Sequence, residues 1–278
     1  MVVGLDRFRK LILIPLVGPS LVITDESVDI GFTVDGSYKK DPDTATIKVF
    51  NANAATRKYI ELNCVRVMLF AGRIFPPQQI FSGEIVNAYS HRSDDMTDFI
   101  TEIEAEDTNE AFKVTPLPVS FAAGATISAV LAAICASTGM IPDLLFTDRA
   151  ILSPVAFLSP GRKAVQSICR QFGLRYQISK GVCSVRDAGV PMNLVDVPVI
   201  SKDTGLIGVP MTRKENKKVK ISFTHMLEGR LIAGGLCKLV TTSISGKGIG
   251  DILFIERHTH TDDSEDLFTT ECECRVYP

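Results

Sequence analysis

Residues 29–51 read DIGFTVDGSYKKDPDTATIKVFN. Ile30, Phe32 and Val34 alternate with Gly31 and Thr33. Beyond a polar break, Ala45, Ile47 and Val49 alternate with Thr46 and Lys48. Period-two alternation marks strands with one face buried and one exposed. The break, residues 35–43, concentrates Gly, Asp, Lys and Pro, as a loop does. The stretch therefore predicts an antiparallel pair of half-buried strands. It holds no nucleophile, phosphate cradle or metal-ligand set.

Working outward, more strands follow. Val65, Val67 and Leu69 alternate in CVRVMLFAG, and Gly83, Ile85 and Asn87 in FSGEIVNAY. Phe99, Ile103 and Ala105 share one face of DFITEIEAED, and residues 91–98 before it read as a polar loop. Asn53 is placed to cap a short helix over 54–62. The middle of the chain differs. TISAVLAAICAST, residues 126–138, predicts a helix that Thr126 caps and Gly139 stops. Val165, Ile168, Cys169 and Phe172 fall at helical spacing in a second helix over 162–172, ended by Gly173. LRYQIS and VCSVRD flank Lys180–Gly181 as a hairpin. Strand patterns then return in KKVKISFTHML, LCKLVTTS, DILFIERHTH and LFTTECECRV.

The expected fold class is therefore α+β, mainly β. The expected domains are a β-rich region over 1–114, an α/β module with two helices and a hairpin over 115–188, and a second β-rich region over 189–278. Pro116, Pro118, Pro191 and Pro198 mark the borders of the module, where proline favours extended linkers.

Composition narrows function. Of 278 residues, 45% are hydrophobic, enough for sizeable cores, and the net charge is −2, without the basic excess of a general nucleic-acid binder. Trp is absent and Tyr numbers five, which disfavours a stacked-aromatic carbohydrate platform. The seven Cys are odd in number and sit in apolar runs, so free buried thiols are expected. Arg7, Arg9 and Lys10 before LILIPLVG imitate a signal peptide, but Pro15 breaks the short apolar run and no clean cleavage site follows. No apolar run approaches the ~18–20 residues of a membrane-spanning helix.

Chemistry-bearing patterns resolve into bland ones. His258 and His260 share one strand face, as do Cys272 and Cys274. In a hairpin centred on residues 262–265, Ile255 faces Cys272 and His258 faces Thr269. The Cys pair then belongs to the core face and the His pair to a polar, wetted face. The two pairs cannot ligate one ion in that register, which a one-residue slip would change. FSGEI lacks the surrounding nucleophile elbow. Gly246, Gly248 and Gly250 precede a strand pattern rather than the helix a phosphate cradle needs. RKENKKVK, residues 213–220, reads as a solvated loop leading into a strand. Glu102, Glu104, Glu106 and Asp107 read as an exposed strand face rather than a hydrolase carboxylate pair. No catalytic, cofactor-binding or metal residue is assigned, and no cofactor is expected.

The order of motifs resembles the baseplate hub proteins of contractile-tailed bacteriophages, the group of late control protein D and the hub portion of type VI secretion spikes. Pro42-Asp43-Thr44-Ala45, the run Asn51 to Thr56-Arg57, Phe81-Ser82-Gly83-Glu84-Ile85 and Ile103 to Asp107 carry the likeness in the first half. Ser120 to Thr126, Thr204 to Pro210 and Ile255 to Asp263 carry it in the second. The resemblance implies two β-barrel-like tube domains with the small α/β module inserted. It implies a homotrimer that adapts a six-fold tail tube to a three-fold central spike, with the tape measure and baseplate wedge proteins as further candidate partners. Location would be the virion tail baseplate, with assembly in the host cytoplasm. The chain stops soon after Phe268, which reads as a hub with no appended enzymatic or spike domain. A tail-associated cell-wall hydrolase or peptidase, or a carbohydrate-binding tail protein, is the alternative.

Overall fold

The computed structural model describes residues 7–38, 42–94, 96–107, 110–193, 196–215, 218–241, 252–263 and 267–277. The chain divides into two compact units, one formed by Met1–Glu106 with Asn193–Pro278 and the other by Asp107–Met192.

The first unit is built on a 13-stranded sheet. Its N-terminal strands are β1 (Phe8–Pro15), β2 (Leu21–Thr24), β3 (Ile30–Ser37), β4 (Thr44–Phe50), β5 (Cys64–Gly72), β6 (Gln78–Arg92) and β7 (Phe99–Glu106), with helix α1 (Ala54–Asn63) between β4 and β5. The opening sequence pairs as expected, Phe32 opposite Ile47 and Val34 opposite Ala45. Asn53 Oδ1 accepts the Thr56 amide at 2.9 Å and so caps α1. Two features depart from expectation. The signal-like run is strand β1, alternately buried, paired between β2 and β5. The loop expected over 91–98 begins later, because β6 runs on to pair His91 with Ile100 and Arg92 with Phe99.

The second unit holds helices α2 (Glu110–Lys113), α3 (Ile127–Ser137) and α4 (Gly161–Phe172), and strands β8 (Pro116–Phe121), β9 (Ile141–Leu145), β10 (Val155–Pro160), β11 (Leu174–Ser179) and β12 (Val182–Asp187). Thr126 caps α3, and Gly173, at φ 69°, closes α4 in the left-handed conformation. The β11–β12 hairpin turns at Lys180–Gly181 as expected. Its turn amides donate to the buried Asp107 carboxylate, Gly181 at 3.1 Å and Lys180 more closely. Asp107, expected on the exposed strand face, instead lies just past β7, is buried, and organises this turn. Strands β8, β9 and β10, invisible to alternation, complete two small sheets around α3 and α4.

The C-terminal strands are β13 (Val199–Ile200), β14 (Leu206–Glu215), β15 (Lys218–Met226), β16 (Leu236–Leu239), β17 (Ile252–Asp262) and β18 (Phe268–Val276). They join the N-terminal strands through β17, which pairs with β3. The main path of the sheet runs β14-β15-β18-β17-β3-β4-β7-β6-β5-β1-β2. The two β-rich regions expected over 1–114 and 189–278 thus share one sheet, and the inserted unit begins at Asp107 and ends at Met192. Their separateness survives in the packing. One core gathers Leu11, Phe32, Ile47, Leu69 and Ile103, and another gathers Ile221, Leu253, Ile255, Cys272 and Cys274. Strand β18 serves both, with Phe268 in the first core and Cys272 in the second.

Candidate assembly surface

Between those two cores the sheet buries polar groups. His260 lies opposite Thr270 on β18 and Val34 on β3, and His225 lies opposite Thr270 from the other side. The Thr270 hydroxyl lies 2.8 Å from His260 Nδ1 and accepts the Glu228 amide at 3.1 Å. His258 Nδ1 accepts the Ala233 amide at 3.0 Å, and the His258 and His260 rings are 4.7 Å apart. His225 Nδ1 donates to the Met226 carbonyl at 2.6 Å, and burial pushes its pKa down. One row further, Asp262 receives Arg9 Nε at 2.5 Å and Nη2 at 3.0 Å. Burial works against the Arg9 charge, but the hydrogen bonds and charge of Asp262 outweigh it and hold the guanidinium pKa above its ordinary value. Paired and hydrogen-bonded in this way, the groups tolerate desolvation. They are 0–4% exposed at His225, His258, His260, Asp262 and Thr270, and so form a buried polar joint between the cores.

This arrangement corrects the hairpin register. Ile255 faces Cys274, not Cys272, and a bulge at Glu256 places His258 opposite Cys272 and His260 opposite Thr270. The histidines therefore share the core face with the cysteines instead of a wetted one. The bulge inserts one unpaired residue, which flips every later side chain to the other face. Alternation alone cannot reveal it. Among the described residues, no group of three or more His, Cys, Asp or Glu side chains is arranged to hold a metal ion.

The other face of the sheet carries accessible polar rows. Thr224, Glu271, Thr259, Asp35, Thr44 and Glu106 stand side by side on six consecutive strands. Ser222, Glu273, Arg257 and Ser37 form the row beside it. Thr259 Oγ1 donates to Asp35 Oδ1 at 2.6 Å along the first row. A groove of about 870 Å³ opens over this face, lined by Arg213, Lys220 and Arg257, by Glu271, Glu273 and Asp35, and by the apolar Ile207, Val209 and Met211. Residues 213–215, expected in a loop, are strand, and the strand pattern over 218–220 is as expected. Arg213 stands opposite Lys220 in the β14–β15 hairpin. Glu102, Glu104 and Glu106 also lie on the polar face, where the sequence pattern puts them. Gly246, Gly248 and Gly250 lie outside the described residues.

The remaining motif residues shape backbone. A Cβ on Gly83 would sit 2.3 Å from the Glu106 carbonyl oxygen, so FSGEI needs glycine for strand approach. Asn51, at φ 52°, donates to Asp98 and accepts the Phe99 amide, turning the chain into α1. The Arg57 guanidinium carbon stands 4.1 Å from the Phe99 ring centroid.

No protein-family model and no curated protein matches the chain. Solved structures do. A 43 kDa tail protein from prophage MuSo2 of Shewanella oneidensis matches with TM-score 0.65 at 7% identity, over 96% of this chain and 98% of that one. A tail protein from Neisseria meningitidis matches with TM-score 0.65 at 9% identity, over 98% of both chains. An Escherichia coli type VI secretion component, described as structurally similar to T4 bacteriophage tail proteins gp27 and gp5, matches with TM-score 0.66 at 11% identity, over 97% of this chain and 77% of that one. Groove, buried joint and inserted unit are thus set in the fold of phage tail and type VI secretion proteins, shared along nearly the whole chain.

Proposed function

We propose that the protein is a structural baseplate hub of a contractile phage tail, a trimeric adaptor between a six-fold tail tube and a three-fold central spike. The observation that carries this reading is the fold likeness to two tail proteins, one of them from a prophage, over 96–98% of the chain and 98% of each of theirs. The sheet is suited to it. One face packs two cores, and the other presents rows of Thr, Glu and Asp to a channel or a neighbour. Two cores hung on one sheet give each subunit two wall segments, so three subunits supply six. Function then resides in surfaces and symmetry, and the protein is not an enzyme. Such obligate interfaces usually bury more than about 2,000 Å².

Light scattering of the protein alone and with the tail's spike protein, backed by low-resolution imaging, tests this. A trimer with a central channel is expected. A persistent monomer in both samples overturns it.

A further inference from the structure

The main path of the sheet ends at β14 and β2, and a short branch from β17 through β16 ends at the two-residue β13. Edge strands offer unpaired N–H and C=O groups to another chain. Along β14, three apolar side chains are exposed: Ile207 at 43%, Val209 at 63% and Met211 at 69%. A bulge between Ile207 and Met211 takes residues 208–210 out of the ladder with β15. Exposed Arg213 and Lys214 follow. At the other edge, Leu16 and Val17 are more than 80% exposed ahead of β2, Val22 is 52% exposed within it, and Asp25 and exposed Glu26 follow.

Both edges therefore run from apolar to charged in the chain direction, and the charges are opposite in sign. Only a parallel apposition satisfies both parts at once. It sets Val209 and Met211 beside Val22, and Arg213 and Lys214 beside Asp25 and Glu26. An antiparallel apposition would set the basic pair against Leu16 and Val17.

We propose that the β14 edge of one copy lies parallel to the β2 edge of the next, so that copies of this chain join edge to edge in a closed ring. Two different edges meeting head to tail make a heterologous contact, which closes into a ring when the rotation permits. The inference rests on the trimeric reading above and names the surfaces that build the trimer.

All native cysteines are buried, so engineered ones report cleanly. Val22→Cys combined with Met211→Cys should give covalent dimers and trimers under mild copper–phenanthroline oxidation, in whichever sample, alone or with the spike, light scattering reports association. Each single variant, and Val22→Cys with Val86→Cys, should stay uncrosslinked. Arg213→Glu with Lys214→Glu should weaken association about tenfold, and adding Glu26→Lys should restore part of it. Melting curves verify that each variant is folded. A trimer without the Val22–Met211 adduct overturns the edge contact while leaving the hub reading standing. A monomer in every sample overturns both.

Discussion

The imidazole of His258 occupies the space that a side chain on Gly36 would fill. The two residues are cross-strand partners, and a Cβ on Gly36 would lie 2.1 Å from His258 Cε1 and 2.8 Å from Asp43 Oδ1. Gly36→Ala should therefore force the ring out of the joint between the cores and cost about 1–3 kcal/mol, as overpacking does. Chemical denaturation measures it. The double variant Gly36→Ala, His258→Ala should lose less than the sum of the two singles, because the clash goes with the ring. Strict additivity would show that the two residues do not share this space.

Asp262 is the buried partner of Arg9, with 0% and 9% of the side chains exposed. Asp262→Asn removes the nearer of two carboxylates from the Arg9 guanidinium, leaving Asp29 at 3.3 Å, and should cost about 1–3 kcal/mol. Replacing both residues by apolar ones, Arg9→Met with Asp262→Leu, should cost less than Asp262→Asn alone. A melt unchanged by Asp262→Asn would show that the pair contributes nothing.

Stability should fall on acidification in two stages. His225 has a folded pKa below its unfolded value of about 6.5, because burial disfavours the imidazolium. A group of this kind stabilises the fold above its unfolded pKa, and that contribution is lost as pH falls below it. Asp143 and Glu228 come next. Burial alone would raise their pKa values, but Arg186 with Ser184 and Arg230 respectively outweigh it and hold them below the ordinary carboxylate range. Their contribution is present above the unfolded carboxylate pKa and is lost at lower pH still. Denaturation midpoints from pH 8 to pH 3 follow both stages. His225→Gln should flatten the upper one, and a curve identical to the parent's would refute the assignment.

The seven cysteines are free and buried. Burial raises the thiol pKa of Cys64, pushes that of Cys169 up to about 12, and drives those of Cys272 and Cys274 well above their ordinary value. Thiol-reactive dye at neutral pH should label the native protein at far below one equivalent in minutes, and the denatured protein at seven. Prompt labelling of the native fold would contradict the burial.

The second unit gathers its own core around Val130, Leu131, Ile134, Val165 and Ile168. Replacing Asp107–Met192 by a short linker should leave a β-rich protein that melts cooperatively. Loss of all cooperative unfolding would show that the division is wrong.

Which of these features could be read without coordinates follows from range. The β3–β4 pair, α1, α3, α4 and the β11–β12 hairpin announce themselves through short-range chemistry: alternation, an Asn53 or Thr126 cap, a Gly173 stop. Strand β14 was hidden because its bulge interrupts period two at Gly208–Pro210, and β1 because Arg9 is buried against Asp262, an interaction 253 residues away. One residue conceals the buried joint from the sequence pattern. A single extra residue, Glu256, reverses the faces of His258 and His260, and only the partner strand reveals it. Both strands are plain in the sequence, and only their register is not.

The pairing of β17 with β3 also sets a timetable. Thr259 reaches Asp35 across 224 residues of chain, and β3 has no other neighbour on that side of the sheet. On a ribosome adding about 5–20 residues per second, β3 waits tens of seconds with that edge open, while Asp107–Met192 can form its more local contacts. Such long-range closure is slow and leaves strand edges exposed to other nascent chains. Yield on expression should therefore respond to anything that shields an open edge during synthesis, such as lower temperature or added chaperone, more than to mutations that raise the stability of the finished fold.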